Sequence, residues 1–222
     1  MPDEPKHAMN FLYWLGWLSF RAAFATFFRW RVYGTGNVPQ TGPVILAANH
    51  ASYLDPPLVG AGLTRPIHYL ARRSLFRFPL IGPLLRKWKA VPLDRDGGGS
   101  QGMKVILERL RAGGGIVLFP EGTRSHDGRL QSPEAGIGFV VAKSEAPVVP
   151  VRVFGTFEAF GRQHKVPRPR QVAVVYGEPM RFEKLRARAA TCDKARLREI
   201  YREIAGEIMT AIARLEQGEY RK

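Results

Sequence analysis

Residues 43–57 read PVILAANHASYLDPP. The first six form a short apolar run with the length and composition of a strand covered on both faces. Polar residues follow at once, and Pro56 and Pro57 suit the first turn of a helix. A buried strand that ends in polar residues and turns straight into a helix is the unit of open α/β sheets. Such sheets take their ligands outside the carboxyl ends of the strands.

The same alternation continues outward from this stretch. Residues 66–71, 89–93, 116–119, 148–154 and 172–176 read as further strands. Residues 56–62, 79–87, 101–112 and 135–144 read as the helices between them. Over residues 193–217, Leu197, Ile200, Ile204, Ile208 and Ile212 recur at helical spacing with charge on the opposite face, which predicts a long amphipathic helix. The expected fold is a single α/β layered domain over residues 32–222, its mixed, largely parallel sheet flanked by helices, with a separate helical segment over residues 1–31. The glycine runs at 97–99 and 113–115 read as loops within one domain.

Residues 11–28, FLYWLGWLSFRAAFATFF, are the most apolar and aromatic part of the 222-residue chain. A spanning helix needs about 20 consecutive apolar residues. Each of the Leu and Phe residues contributes roughly −0.3 to −0.6 kcal/mol to insertion, and a central Arg costs about 2.5 to 3.5 kcal/mol. With three Leu, five Phe and Arg21 the sum is close to zero, so spanning is not favoured. An interfacial helix is the expectation: Tyr13, Trp14, Trp17 and Trp30 suit headgroup depth, and Arg21, Arg29 and Arg31 suit anionic lipid. A helix buried against the domain is the alternative. Basic residues before the apolar run and a small-residue cleavage site after it would mark a signal peptide, and neither is clear.

Charge points the same way. Thirty-four Lys and Arg against nineteen Asp and Glu give a net +15, and the pI is near 10.5. Such a chain is drawn to polyanions. No zinc-finger spacing, RNA-recognition signature or leucine zipper is present, so no nucleic-acid partner is expected. One cysteine, Cys192, excludes an internal disulfide and a cysteine metal cluster. The spacing of the histidines supports no metal site.

Four stretches carry candidate chemistry. In Asn49 to Asp55 the turn after the strand can fold the Asp55 carboxylate back onto His50, setting one ring nitrogen and leaving the other as a base. The stretch FPEGTRS (residues 119–125) again follows a strand: Gly122 allows close backbone approach, Thr123 offers a hydroxyl, and Arg124 a planar fork suited to phosphate. VPLDRD (residues 91–96) brings Arg95 to another strand end, either toward phosphate or in an ion pair with Asp94 or Asp96. APVVPV (residues 146–151) is apolar and serves either the core or an acyl-chain slot.

Taken together and in this order, NHASYLD, the region ending PLDRD, FPEGTRS and APVVPV resemble the four blocks of the lysophospholipid acyltransferase family that includes 1-acylglycerol-3-phosphate acyltransferases. The resemblance runs from about Tyr33 to Phe182. It implies an α/β acyltransferase domain in which His50 deprotonates an acceptor hydroxyl and Asp55 orients His50. It implies an acceptor-phosphate site of Arg95, Glu121, Gly122, Thr123 and Arg124, with Pro150 helping to shape the site. The implied reaction moves a fatty acyl group from acyl-CoA or acyl carrier protein, as co-substrate, to lysophosphatidic acid, giving phosphatidic acid; no cofactor or metal is implied. The implied setting is peripheral or monotopic, on the cytoplasmic face of an anionic membrane. A departure falls at Pro133-Glu134-Ala135-Gly136, where similar sequences carry a lysine before the glycine. It leaves open another lysophospholipid or a lyso-amino-acid lipid as acceptor. A serine hydrolase would need a G-x-S-x-G elbow, which is absent. A non-catalytic basic membrane-binding module would not need these motifs together.

Overall fold

The computed structural model describes residues 9–93 and 100–218. Seven strands form one sheet in the order β1-β7-β6-β2-β5-β3-β4. They are β1 (Arg31–Tyr33), β2 (Val44–Ala48), β3 (Ile67–Arg72), β4 (Ala90–Leu93), β5 (Gly115–Leu118), β6 (Val148–Phe154) and β7 (Ala173–Tyr176). The five strands β2 to β6 run parallel, whereas β7 pairs antiparallel with β6 and carries β1 alongside it. Leu46, at the centre of β2, stands opposite Val117 of β5 and Val149 of β6. All five residues of β2 are buried, as a strand covered on both faces requires.

Helices cover the two faces unequally. On one face lie α4 (Ser100–Arg111), α5 (Ala135–Ala142), α7 (Glu183–Thr191) and α8 (Lys194–Arg214), packed on Ile45, Ala47, Ile116 and Leu118. On the other lie α1 (Phe11–Phe27) and α2 (Asp55–Ala61), packed on Val44, Leu46, Val117 and Val151. α3 (Ile81–Lys87) reaches this second layer through Trp88, whose ring meets Phe20 at 5.8 Å. The short α6 (Thr156–Phe160) follows β6, and 3-10 turns lie at Thr35–Asn37 and Arg73–Arg77. β1, α6 and α7 had not been expected. β1 is three residues long, and its pairing with β7 across more than a hundred residues leaves no local pattern.

The N-terminal helix corrects part of the expectation for it. Asn10 caps α1, its Oδ1 accepting from the Tyr13 amide at 2.8 Å. The Tyr13 side chain is buried and accepts from the Ile67 amide at 2.9 Å. Trp17 Nε1 donates to the Leu63 carbonyl at 2.8 Å, and Arg21 donates to Ala61, at the end of α2, also at 2.8 Å. Arg21 further packs its guanidinium against the rings of Trp17 and Trp30. Tyr13, Trp17 and Arg21 therefore dock the helix on the domain and are not offered to lipid. The opposite face of α1 keeps Phe11, Trp14, Leu15 and Leu18 exposed. No helix among the described residues is long and apolar enough to cross a membrane.

Candidate active site

β2 ends at Ala48, and the chain turns through Asn49 to Leu54 into α2, whose first residue is Asp55. The Asn49 side chain prolongs the sheet where the strand stops. Its Oδ1 accepts from the Val153 amide at 2.8 Å and its Nδ2 donates to the Val153 carbonyl at 3.3 Å. The next residue, His50, is thereby held at the rim. Asp55 Oδ2 accepts a hydrogen bond from His50 Nδ1 at 2.8 Å and from the Ala51 and Ser52 amides at 2.7 Å each. Asp55 is fully buried, and its Oδ1 has no hydrogen-bond partner. Such a carboxylate holds the imidazole in one tautomer. The His50 side chain keeps 17% exposure, enough for Nε2 to meet a substrate from solvent.

The loop after β5 clamps His50 from the other side. Phe119 stacks on the imidazole, with ring centroids 3.9 Å apart and 17° between planes. The His50 amide donates to Glu121 Oε1 at 2.8 Å, and its carbonyl accepts from the Ser125 amide at 2.7 Å. The other carboxylate oxygen of Glu121 accepts from the Gln131 amide at 3.0 Å. Burial pushes the Glu121 carboxyl above its ordinary range; those two amides pull it back, and the charge of Asp55 pushes it up again. Glu121 is expected in the phosphate site; in the fold its carboxylate serves the His50 and Gln131 amides and so positions the His50 backbone.

Arg124 keeps the role expected of it within reach. Its guanidinium lies 3.5 Å from the centroid of the Tyr53 ring, and the buried Nη1 has no hydrogen-bond partner. A guanidinium of this kind can pair with an oxyanion. Tyr53 leans on Phe160 at 5.3 Å, and Ser52 Oγ donates to the Phe160 carbonyl at 2.7 Å, so α6 braces this wall. Gly122 has φ +66°, a conformation that favours glycine, and a Cβ there would come within 3.0 Å of Glu134 Cγ. Thr123 is exposed beside it. Glu134, at the departure from the family pattern, is the exposed N-terminal flank of α5.

Two expected residues stand apart. Arg95 lies outside the described residues. Pro150 is buried in β6 opposite Ala47, with its ring close to Gly177 on the face that α8 covers. It belongs to the sheet. Residues that the sequence reading left without a role are Asn49, Tyr53, Phe119 and Ser125. An aromatic residue directly after β5 was the available signal for Phe119. Among the described residues no group of three His, Cys, Asp or Glu is placed to hold a metal ion.

The sequence profile of a family described as Acyltransferase matches residues 29–154, which carry both the dyad and the clamp. The chain is 35% identical over 133 residues to a chloroplastic 1-acyl-sn-glycerol-3-phosphate acyltransferase of Arabidopsis thaliana, covering 59% of this chain and 37% of that one. It is 33% identical over 127 residues to the 1-acyl-sn-glycerol-3-phosphate acyltransferase of Bacillus subtilis, covering 56% and 62%. The chain thus spans 37% to 62% of the length of these curated relatives. The crystal structure of the 1-acyl-sn-glycerophosphate acyltransferase of Thermotoga maritima shares the fold, with a TM-score of 0.68 over 93% of this chain and 80% of that one at 23% identity. With the matched profile spanning more than half of its length and both members of the dyad, this chain belongs to the acyltransferase family.

Proposed function

We propose that this protein transfers a fatty acyl group from a thioester donor, acyl-CoA or acyl carrier protein, to the free hydroxyl of lysophosphatidic acid, giving phosphatidic acid. The observation that carries this reading is the His50–Asp55 pair, 2.8 Å apart at the sheet rim, with the unpartnered Arg124 donor beside it. His50 Nε2 takes the proton of the acceptor hydroxyl as its oxygen attacks the thioester carbonyl carbon. The tetrahedral intermediate collapses, the carbon–sulfur bond breaks, and the imidazolium returns the proton to the leaving thiolate. Asp55 stabilises the imidazolium between these steps. The amides of His50, Ala51 and Ser52 already serve carboxylates, so the oxyanion is held elsewhere. Arg124 receives the acceptor phosphate.

The apolar outer face of α1 rests on the membrane that supplies the acceptor, and the net charge of +15 favours an anionic surface. This makes the protein peripheral or monotopic, on the cytoplasmic side where the donors are found. A second reading keeps the chemistry and changes the headgroup. The exposed carboxylate of Glu134 beside Gly122 favours an acceptor with a cationic group, such as a lyso-amino-acid lipid.

The test is thiol release from long-chain acyl-CoA, and separately from acyl carrier protein, with lysophosphatidic acid present and the product lipid identified. Release should require the acceptor, and His50→Ala should lower it by about 10² to 10⁴-fold. Release without acceptor would mean a thioesterase. No release from folded, lipid-bound protein would overturn the reading for this acceptor.

A further inference from the structure

Thirteen large apolar or aromatic side chains stay exposed among the described residues. Six are on α1, and five more lie between Leu75 and Leu84, in the turn and helix that follow β3. The second group has no place in the chemistry above. Leu80 is 86% exposed and Phe78 54%, at the tip where the 3-10 turn gives way to α3. Leaving such side chains in water is unfavourable, and contiguous exposed apolar surface marks a binding face.

The surroundings of this tip indicate its partner. Residues 56–93 contain seven Arg and Lys and no Asp or Glu. Arg72, Arg77 and Lys87 are exposed around the crest, and Arg86 lies against the Phe76 ring at 5.7 Å. Apolar side chains at the centre with cations at the rim match acyl chains below and phosphates at the headgroup level. The tip is also continuous with α1: Trp88 Nε1 donates to the Leu12 carbonyl at 2.9 Å, and Asn10 Nδ2 to the Lys87 carbonyl at 3.0 Å. Topology adds the last observation. β3 runs parallel to β5, which runs parallel to β2, so the tip leaves the sheet at the same edge as His50 and the Phe119 loop. With strands spaced about 4.8 Å apart, β3 stands roughly 10 Å from the strand that presents His50.

We propose that residues 75–84 are a second membrane-insertion element, which seats Phe78, Leu80 and Ile81 among the acyl chains of an anionic bilayer. Together with α1 it holds the protein at two places and turns the catalytic edge toward the leaflet that carries the acceptor. The inference rests on the acyltransferase reading only for its purpose; the insertion is measurable without turnover.

Leu80→Cys, made with Cys192→Ser and labelled with a polarity-sensitive fluorophore, reports the depth of the tip. Its emission should shift to the blue on mixed phosphatidylglycerol and phosphatidylcholine vesicles. Phe78→Asp with Leu80→Asp should lower vesicle affinity about tenfold or more. The same double variant should lose activity by a like factor on vesicle-borne lysophospholipid, yet stay within about twofold on a short-chain acceptor below its micelle concentration. Unchanged emission on vesicle-bound protein, or a double variant that binds like the native chain, would overturn the proposal. So would a native chain that leaves vesicles untouched, or a double variant equally slow on the monomeric acceptor. Absence of thiol release from native protein on the monomeric acceptor would instead sink the enzymatic reading and leave the emission result standing.

Discussion

α8 and α1 are the two longest helices, and they meet the same sheet from opposite sides in opposite ways. α8 buries Ile200, Ile204, Ile208 and Ile212 completely and turns charged residues outward. α1 buries Tyr13, Gly16 and Phe24 and leaves six large apolar residues facing out. The first is the ordinary amphipathic solution for water. The second is apolar on both sides, which suits a helix between a protein core and a lipid phase. Flanking charge differs too, because Arg21 is the one charged residue of α1 and is tied to the Ala61 carbonyl. One face of the protein is thus completed by its own chain, and the other is left for something else to complete.

The largest expected effect tests how tightly the α8 side is closed. A Cβ on Gly138 of α5 would lie 1.9 Å from the Tyr201 carbonyl oxygen of α8, closer than any relaxed contact. Gly138→Leu should lower unfolding stability by more than about 3 kcal/mol in a denaturant titration. A stable variant would mean that α8 can move away freely, and the contrast with α1 would weaken.

A smaller effect appears with pH. His68, in β3 on the α8 side, donates from Nδ1 to the Gly115 carbonyl oxygen at 3.1 Å. Burial, the largest cause, pulls its pKa down to about 4; Lys89, Arg109 and Arg65 add to this, while the Gly115 carbonyl opposes it. The unfolded chain takes up this proton near pH 6.5 and the folded chain only near 4, so stability falls as pH drops through that window. Discounted for the solvent that still reaches the ring, the loss is about 1 to 2 kcal/mol. His68→Gln should flatten this part of the stability profile. An NMR titration placing His68 near its ordinary value would show this side of the sheet to be wetter than its packing implies.

The smallest effect belongs to the outer face of α1. Leu15→Glu should change unfolding stability by no more than about 0.5 kcal/mol, because the side chain lies on the exposed face of α1, yet weaken vesicle binding. A destabilisation of several times that size would show that the outer face of α1 is packed in solution, as by a second copy of the chain.

Much of this was legible beforehand, for reasons that differ by element. α8 could be read because its isoleucines repeat every four residues, and β2 because a doubly covered strand is apolar throughout. His50 and Asp55 could be read because the turn that joins them spans a few residues, so their meeting is a local event. The part Glu121 plays in holding His50 was not legible, since its polar neighbours in sequence suggest an anion loop, whereas its partner amide belongs to residue 50, in the turn after another strand. The face that Pro150 takes was not legible for a related reason: an apolar strand reads the same whichever face its proline takes.

By itself, then, the sequence determined the strand and helix periodicities, the basic excess, the dyad and the family, all of which depend on residue type and short spacing. The tertiary structure alone decided which residues clamp His50, that Arg21 and Tyr13 serve the inside of the α1 contact, and that Leu80 and Phe78 stand in the open at the sheet edge that presents His50. Each of these depends on which distant segments the sheet order brings together, and strand order and burial are properties of the packed chain, with no counterpart in local pattern.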